Sequence, residues 1–322
     1  MLIKQSITTQ PISISTTTNL KTSILLPDSL PLTFMADPLG VGRRGLEISP
    51  DGKLIVYVHM KPGRISSLYT RAINDYNITA LPGTDGAFSP IFSPDSKWIA
   101  FFSKDKLMKI SVDGGVIETL TQTANPQDGI WAEDDRITWI ANDGSSLNSI
   151  NSKGKEYKSI STTRLSSRPA RISADEFLTS NAYGIFLTSF SKGAGKQVLS
   201  GGHSASFYKD ELIFIKGNDL LSVGFDRSKL EVIGTPNLIE KNTSTGFYGQ
   251  FSISMEGTLA FVRGPHLSRG QLTWRNIKRE KQSVNLEPTI FGTFSISTNG
   301  KDLAILLSDT QGDARTYNLE AP

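Results

Sequence analysis

Few residues in this chain could do chemistry, and their spacing limits what they could do. The sequence has three histidines, His59, His203 and His266, and no cysteine. That excludes thiolate nucleophiles, disulfides, zinc–thiolate sites and iron–sulfur clusters. No His-x-x-x-His or His-Glu-x-x-His pair occurs, so no two histidines are preassembled for a metal on one helix face. GVGRRG, Gly40 to Gly45, spells the Gly-x-Gly-x-x-Gly pattern of dinucleotide sites. That pattern works only where a helix N-terminus receives the phosphate, and here the strand-like LEISP follows. SKGAGKQ, Ser191 to Gln197, has Phe190 where a phosphate loop needs its first glycine, and Gln197 where a hydroxyl would hold magnesium. Gly-x-Ser-x-Gly, the nucleophile elbow of α/β-hydrolases, is absent. No catalytic residue, metal ligand or cofactor is assigned on these grounds. Recurrent carboxylates such as Asp51, Asp95 and Asp134 could pair for acid–base work. Their regular placement beside Pro, Gly and Asn points instead to turn chemistry.

That regularity is the main signal. ISPDGKLIVYV begins at Ile48, FSPDSKWIAFF at Phe92 and WAEDDRITWIA at Trp131. ISADEFLTS follows from Ile172, FYKDELIFI from Phe207, ISMEGTLAFV from Ile253 and ISTNGKDLAIL from Ile296. The starts lie 35 to 46 residues apart, a period that signals repeat architectures. Each copy ends one strand, turns through Asp, Asn or Gly, and continues into an alternating or wholly apolar strand. A third strand such as LMKISVDGG and a fourth such as VIETLTQ complete the unit. Four short strands per unit of about forty residues describe propeller blades. The expected fold is therefore all-β, a seven-bladed β-propeller, with six blades as the alternative because the copy at 168–200 is degraded.

The expected units are 43–84, 87–122, 126–162, 168–200, 203–240, 248–289 and 291–320, after a disordered lead-in at 1–20. The last unit supplies about three strands. KTSILLP, Lys21 to Pro27, is expected to pair beside the C-terminal strands and close the ring, since an open sheet edge recruits other chains. The aromatics Trp98, Trp131, Trp139, Phe101 and Phe214 fall at equivalent strand positions and are expected to pack blade against blade.

FSPDSKWIAFFS…LMKISVDGG resembles the TolB-type propeller repeat. The longer stretch from LYTRAINDYNITALPG through that repeat is similar to the C-terminal, extracytoplasmic propeller of bacterial receptor-like serine/threonine kinases. GNDLLSVGFDRSKLEVIGTPNLIEK and GQFSISMEGTLAFVRG resemble later blades of the same group. The resemblance covers about residues 21–320 and rests on structural motifs. It implies a sensor or interaction propeller outside the cytoplasmic membrane, attached to or derived from a kinase-type signalling protein. The kinase domain and membrane helix of that group are not in this sequence, and neither is an apolar export signal. A cytoplasmic location, and a stand-alone relative rather than a fragment, therefore stay open.

Composition narrows the partners. Lys plus Arg number 34 against 31 Asp plus Glu, a net charge of +3, with no basic stripe of the kind nucleic acids require. No window reaches the apolar length of a membrane span. A soluble monomer is expected. In a propeller, the loops entering each innermost strand form one rim of the channel. Those loops carry Arg43, Arg44, Asp128, Arg168, Arg171 and His203. Loops joining second to third strands on the same face add Arg64, Arg263, His266 and Arg269. Such a rim suits a small acidic ligand or an acidic patch on a protein partner. The reading that follows is a non-catalytic interaction or ligand-sensing propeller. Its alternative is a propeller enzyme with a channel metal, such as a lyase, a lactonase or a glycan-processing enzyme.

Overall fold

The repeated Ile-Ser or Phe-Ser pair dictates a local event before it dictates a fold. In a computed structural model, the hydroxyl of Ser49 donates to Asp51 at 2.6 Å and accepts the N–H of Leu54 at 2.9 Å. Ser93 does the same with Asp95 and Trp98, at 2.6 and 2.9 Å. Ser254 accepts from Thr258 at 2.9 Å, and Ser173 from Glu176 at 3.1 Å. Each serine closes a tight turn and reverses the chain into the next strand, so the repeat is a repeat of hairpins.

The structure describes residues 26–27, 29–30, 32, 43–61, 65–241, 243–245 and 248–262, together with the strands at 273–275, 281–283, 291–297, 302–307 and 314–318. Within it, five antiparallel sheets of four strands follow one another. The first holds β1 (Leu46–Ile48), β2 (Leu54–Lys61), β3 (Ile65–Ala72) and β4 (Ile78–Ala80). The second holds β5 (Ala87–Phe92), β6 (Trp98–Ser103), β7 (Lys106–Ser111) and β8 (Glu118–Gln122). The third holds β9 (Gly129–Trp131), β10 (Arg136–Ala141), β11 (Ser146–Asn151) and β12 (Lys158–Ser161). The fourth holds β13 (Ser166–Arg171), β14 (Glu176–Asn181), β15 (Gly184–Ser189) and β16 (Gly193–Ser200). The fifth holds β17 (His203–Tyr208), β18 (Glu211–Lys216), β19 (Asp219–Asp226) and β20 (Glu231–Glu240). Every sheet is an up-and-down meander with its strands in sequence order. The first strands stand side by side, β1 beside β5, β5 beside β9, β9 beside β13 and β13 beside β17. This is a β-propeller.

Stacked blades bury both faces of their middle strands, so those strands read as apolar runs rather than as alternation. Ile99 to Phe102 in β6 are all fully buried, while outer strands such as β8 and β20 are largely exposed. The core lies between blades. One cluster joins Val56, Val58 and Leu68 of the first blade to Phe88, Phe101 and Ile110 of the second and to Ile137 and Trp139 of the third. Another joins Ala170, Leu178 and Ile185 of the fourth blade to Leu212, Phe214 and Val223 of the fifth. Trp139 is wholly buried, tilts against Phe102 of the neighbouring blade and donates its indole N–H to Thr123 at 2.8 Å.

The blade count corrects the expectation of seven, or six: five four-stranded blades are present among the described residues. The degraded copy at 168–200 is a complete blade. The copies at Ile253 and Ile296 each form their hairpin, β23 (Phe251–Ile253) with β24 (Leu259–Phe261), and β27 (Phe291–Ile296) with β28 (Asp302–Leu307). Among the described residues around them are the short pairs β21 (Ser244–Thr245) with β22 (Tyr248–Gly249) and β25 (Thr273–Arg275) with β26 (Lys281–Ser283), and β29 (Ala314–Asn318) as a third strand beside β28. A Ser-Asp turn specifies two strands; the other two strands of a blade must be recruited by packing, and the turn motif does not count them. The ring closure expected from Lys21–Pro27 is not seen. Residues 21–25 lie outside the described residues, as does the lead-in at 1–20. Leu26 and Pro27 are in no strand, and Leu26 packs with Leu30 and Leu32 against the first blade around Leu46 and Tyr57. The β23–β24 hairpin also meets this blade, where Ser252 accepts the N–H of Ile48 at 3.3 Å. Among the described residues no helix is long and apolar enough to cross a membrane.

Candidate functional site: an ionic network at the channel mouth

Period two decides which side chain of β1 faces the channel. Leu46 and Ile48 point into the blade core, so Glu47 between them points the other way. It is nevertheless buried, 4% exposed, and it has cationic partners. Arg44, 3% exposed, forms an ion pair with it from three residues upstream. Arg168 on β13 grips the same carboxylate through both terminal nitrogens at 3.1 Å. Arg44 also reaches Asp128 at 3.3 Å, just ahead of β9, and the carbonyl of Pro90 on β5 at 3.3 Å. A single network thus ties the first, second, third and fourth blades together.

Three inner strands share a second device. Ser89, Ser167 and Ser204 have φ of 46°, 62° and 55°, in the left-handed region that side-chain-bearing residues rarely adopt. Each sits where the pairing register of its inner strand shifts, so each is a bulge residue. The bulges aim their polar groups across blade boundaries. Ser89 exchanges two bonds with Arg44, accepting its N–H and donating its own N–H to the Arg44 carbonyl, both at 2.9 Å. Its hydroxyl donates onward to the Gln127 carbonyl at 2.6 Å. Ser167 accepts from the Ser204 N–H at 3.1 Å, and Ser204 accepts from the Gly249 N–H at 2.9 Å. Gln250 accepts the N–H of Gly45 at 2.9 Å. At the third blade, Asp128 accepts the Gly129 N–H at 2.8 Å. A Cβ on Gly129 would come within 2.6 Å of the Thr138 carbonyl, so the close approach of this strand to β10 requires glycine.

Arg43, Arg44, Asp128, Arg168, Ser206 and Phe251 are among the residues that line a recess at this mouth. Its cavity volume is about 20 Å³, room for little more than a water molecule. Arg43 donates to the Pro126 carbonyl at 3.2 Å, and its guanidinium lies 4.0 Å above the Phe88 ring. Burial pushes the Asp128 carboxyl above the usual carboxylate range, against the pull of Arg44 and Arg168. Burial also pulls the Arg168 guanidinium below its ordinary value, against the pull of Glu47. His203, at the start of β17, is brought down to about 4 by burial and is neutral at pH 7; its Nδ1 lies 2.9 Å from the Ser204 hydroxyl.

Of the ten rim residues expected from sequence, Arg43, Arg44, Asp128 and Arg168 are brought together in this recess, with His203 one residue away from its wall. Arg171 is not with them. It ends β13 at the far side and pairs with Asp134 of the β9–β10 turn at 2.6 Å. Arg64, Arg263, His266 and Arg269 lie outside the described residues. Sequence reasoning missed Glu47, Gln250 and the serines. Glu47 was detectable as a lone acid alternating with two apolar strand residues. The bulge serines had no comparable signal. Asp51, Asp95 and Asp134 occupy hairpin turns. Among the described residues, no three His, Asp or Glu side chains group as a metal site.

No protein-family model matches the chain, and no curated protein matches it. Among solved structures, one similar to it is described as a selenomethionine-substituted virginiamycin B lyase from Staphylococcus aureus. That likeness has a TM-score of 0.49 and 15% identity, over 86% of this chain and 94% of the other. Another is a nidogen/laminin complex, with a TM-score of 0.48 and 11% identity, over 64% of this chain and 87% of the matched one.

Proposed function

We propose that this propeller is a non-catalytic ligand-sensing or interaction module that binds at the arginine-lined mouth of its channel. One observation carries this reading: both carboxylates at the mouth, Glu47 and Asp128, are held in ion pairs by arginines. A carboxylate whose oxygens are occupied by guanidinium groups is a poor metal ligand. The arginines and serines around them are suited to binding. The resemblance of the blade repeats to TolB-type and receptor-kinase propellers supports a sensor role. On that reading the propeller works outside the cytoplasmic membrane as part of a kinase-type signalling protein, with a small acidic ligand or an acidic protein surface as partner.

The test combines metal analysis of the purified chain with thermal-shift screening against small acids, phosphates and acidic peptides. The expected result is a ligand that raises the melting temperature of the native chain and raises it less in Arg43→Gln. A stoichiometric metal, or turnover of any screened compound, would overturn the reading in favour of a propeller enzyme.

A further inference from the structure

We propose that the propeller closes as a ring of six units, in which the segment 249–255 is a clasp joining the sixth inner strand to the first blade, and that the seventh repeat stands outside this ring. The inference goes beyond the binding-module reading and does not rest on it. The circle of inner strands is the first support. β23 stands beside β17 on one side and beside β1 on the other, so the series that runs from β1 through β5, β9, β13 and β17 returns to its start through β23. Hydrogen bonds hold both joints. Gly249 donates its N–H to the Ser204 hydroxyl of the fifth blade at 2.9 Å. Toward the first blade, Gln250 accepts the Gly45 N–H at 2.9 Å and donates its amide to the Arg43 carbonyl at 3.3 Å. Ser252 accepts the Ile48 N–H at 3.3 Å, and the Met255 N–H donates to the Pro50 carbonyl at 2.9 Å. These bonds run the whole length of β1, from the mouth to its Ser-Asp turn.

The alternation of side chains along a strand gives the second support. Phe251, Ile253, Leu259 and Phe261 of the β23–β24 hairpin pack with Ile213, Ile215 and Leu220 of the fifth blade. The residues between them face the other way. Ala260 and Val262 pack against Leu46, Ile48, Ile55 and Tyr57 of the first blade, and Ser252 bonds to it. The hairpin is thus a layer with one face on each neighbour, as a blade is. Gln250 and Ser252 are buried, so water does not compete for their bonds. A seventh unit in the ring would have to stand between β23 and β1, where direct bonds already join the two. The β27–β28–β29 sheet therefore has no place in the circle, although its turn motif matches those of the other six units. The neighbouring turns meet as well: a Cβ on Gly52 would lie 3.5 Å from the Thr258 Cβ.

Because the chain has no cysteine, the seam can be read by engineered disulfides in the full chain. The 3.5 Å separation at Gly52 and Thr258 falls in the Cβ–Cβ range of a disulfide, about 3.5–4.5 Å, which selects Gly52→Cys/Thr258→Cys. Pro50→Cys/Met255→Cys reads the same seam without placing a side chain at the positive φ of Gly52. Lys301 stands in the seventh repeat where Thr258 stands in the sixth, ISTNGK against ISMEGT. Gly52→Cys/Lys301→Cys is therefore the pair that a seven-unit ring would bring together. Mild oxidation of the folded monomer is expected to close the two seam pairs nearly completely, seen as faster migration on a non-reducing gel. The Lys301 pair is expected to stay largely as free thiols, and the preference is expected to vanish in urea. Each closed seam pair should also unfold at higher urea than its own reduced form, a comparison in which any strain from the substitution cancels. Failure of both seam pairs to cross-link in the folded chain, or cross-linking of the Lys301 pair as readily as theirs, would overturn the inference.

Discussion

Replacing Glu47 by glutamine tests whether the ionic network is a buried structural joint. The substitution keeps the shape and one acceptor oxygen, but removes the charge facing both Arg44 and Arg168 and turns an amide N–H toward a guanidinium. Glu47 is 4% and Arg44 3% exposed, so water cannot take over the carboxylate's role. Removing one partner of a buried pair leaves an uncompensated charge and costs about 3–5 kcal/mol. The loss is at the upper end here because one carboxylate serves two cations. It is a large share of a domain stability of about 5–15 kcal/mol. Urea denaturation followed by tryptophan fluorescence measures it, provided the slope is unchanged so that the midpoint shift reports stability. Arg171→Gln is the internal control: it breaks a pair whose side chains are 19% and 35% exposed, and should cost at most about 1 kcal/mol. If Glu47→Gln costs no more than Arg171→Gln, the network is solvated and the buried-joint reading fails.

Trp139→Ala empties a fully buried site at the joint of the second and third blades and strands the Thr123 hydroxyl, so a loss of about 3–5 kcal/mol is expected by the same measurement. Gly144→Ala is expected to be far worse than Gly114→Ala. Both have φ near +85°, but a Cβ on Gly144 would lie 2.0 Å from the Leu165 carbonyl, whereas one on Gly114 meets nothing within 4 Å. The strain shared by both is about 1 kcal/mol, so the difference in midpoint reads the clash alone. In acid, the Asp95 carboxyl is held below its ordinary value by the Ser93 hydroxyl, and Asp175 by the Ser189 and Ser191 hydroxyls. A depressed carboxylate stabilises the fold above its unfolded value, near 4, and that stabilisation is lost as pH falls through the lower folded value. Ser93→Ala should therefore flatten the stability profile below about pH 4 and leave its shape near neutrality unchanged.

The hairpins were legible because their chemistry is local. Ser49, Asp51 and Leu54 lie within six residues and close one turn, so the motif and the structure coincide. The apolar middle strands were legible for a similar reason, since Ile99 to Phe102 admit no solvent-facing alternation. The blade count was not, because four-strand sheets depend on pairings that no turn motif records. The recess was half legible. Arginines and Asp128 on the lead-in loops could be placed at one rim by topology, but Arg171 shares a strand with Arg168 and ends at the other side. The serine bulges were hidden, because a backbone in the left-handed region is imposed by neighbouring blades rather than by a serine's own preference.

The bond from Gly45 to Gln250 spans 205 residues, and it sets a timetable. During synthesis at about 5–20 residues per second, roughly 10–40 s separate the emergence of its two partners. Arg44 meets Glu47 at once, waits for Asp128, then shares Glu47 with Arg168, and its neighbouring N–H is satisfied last of all. The first of the five blades is thus completed by a residue that follows the fifth. A nascent chain halted before Gln250 would carry folded blades but leave the Gly45 N–H without its acceptor.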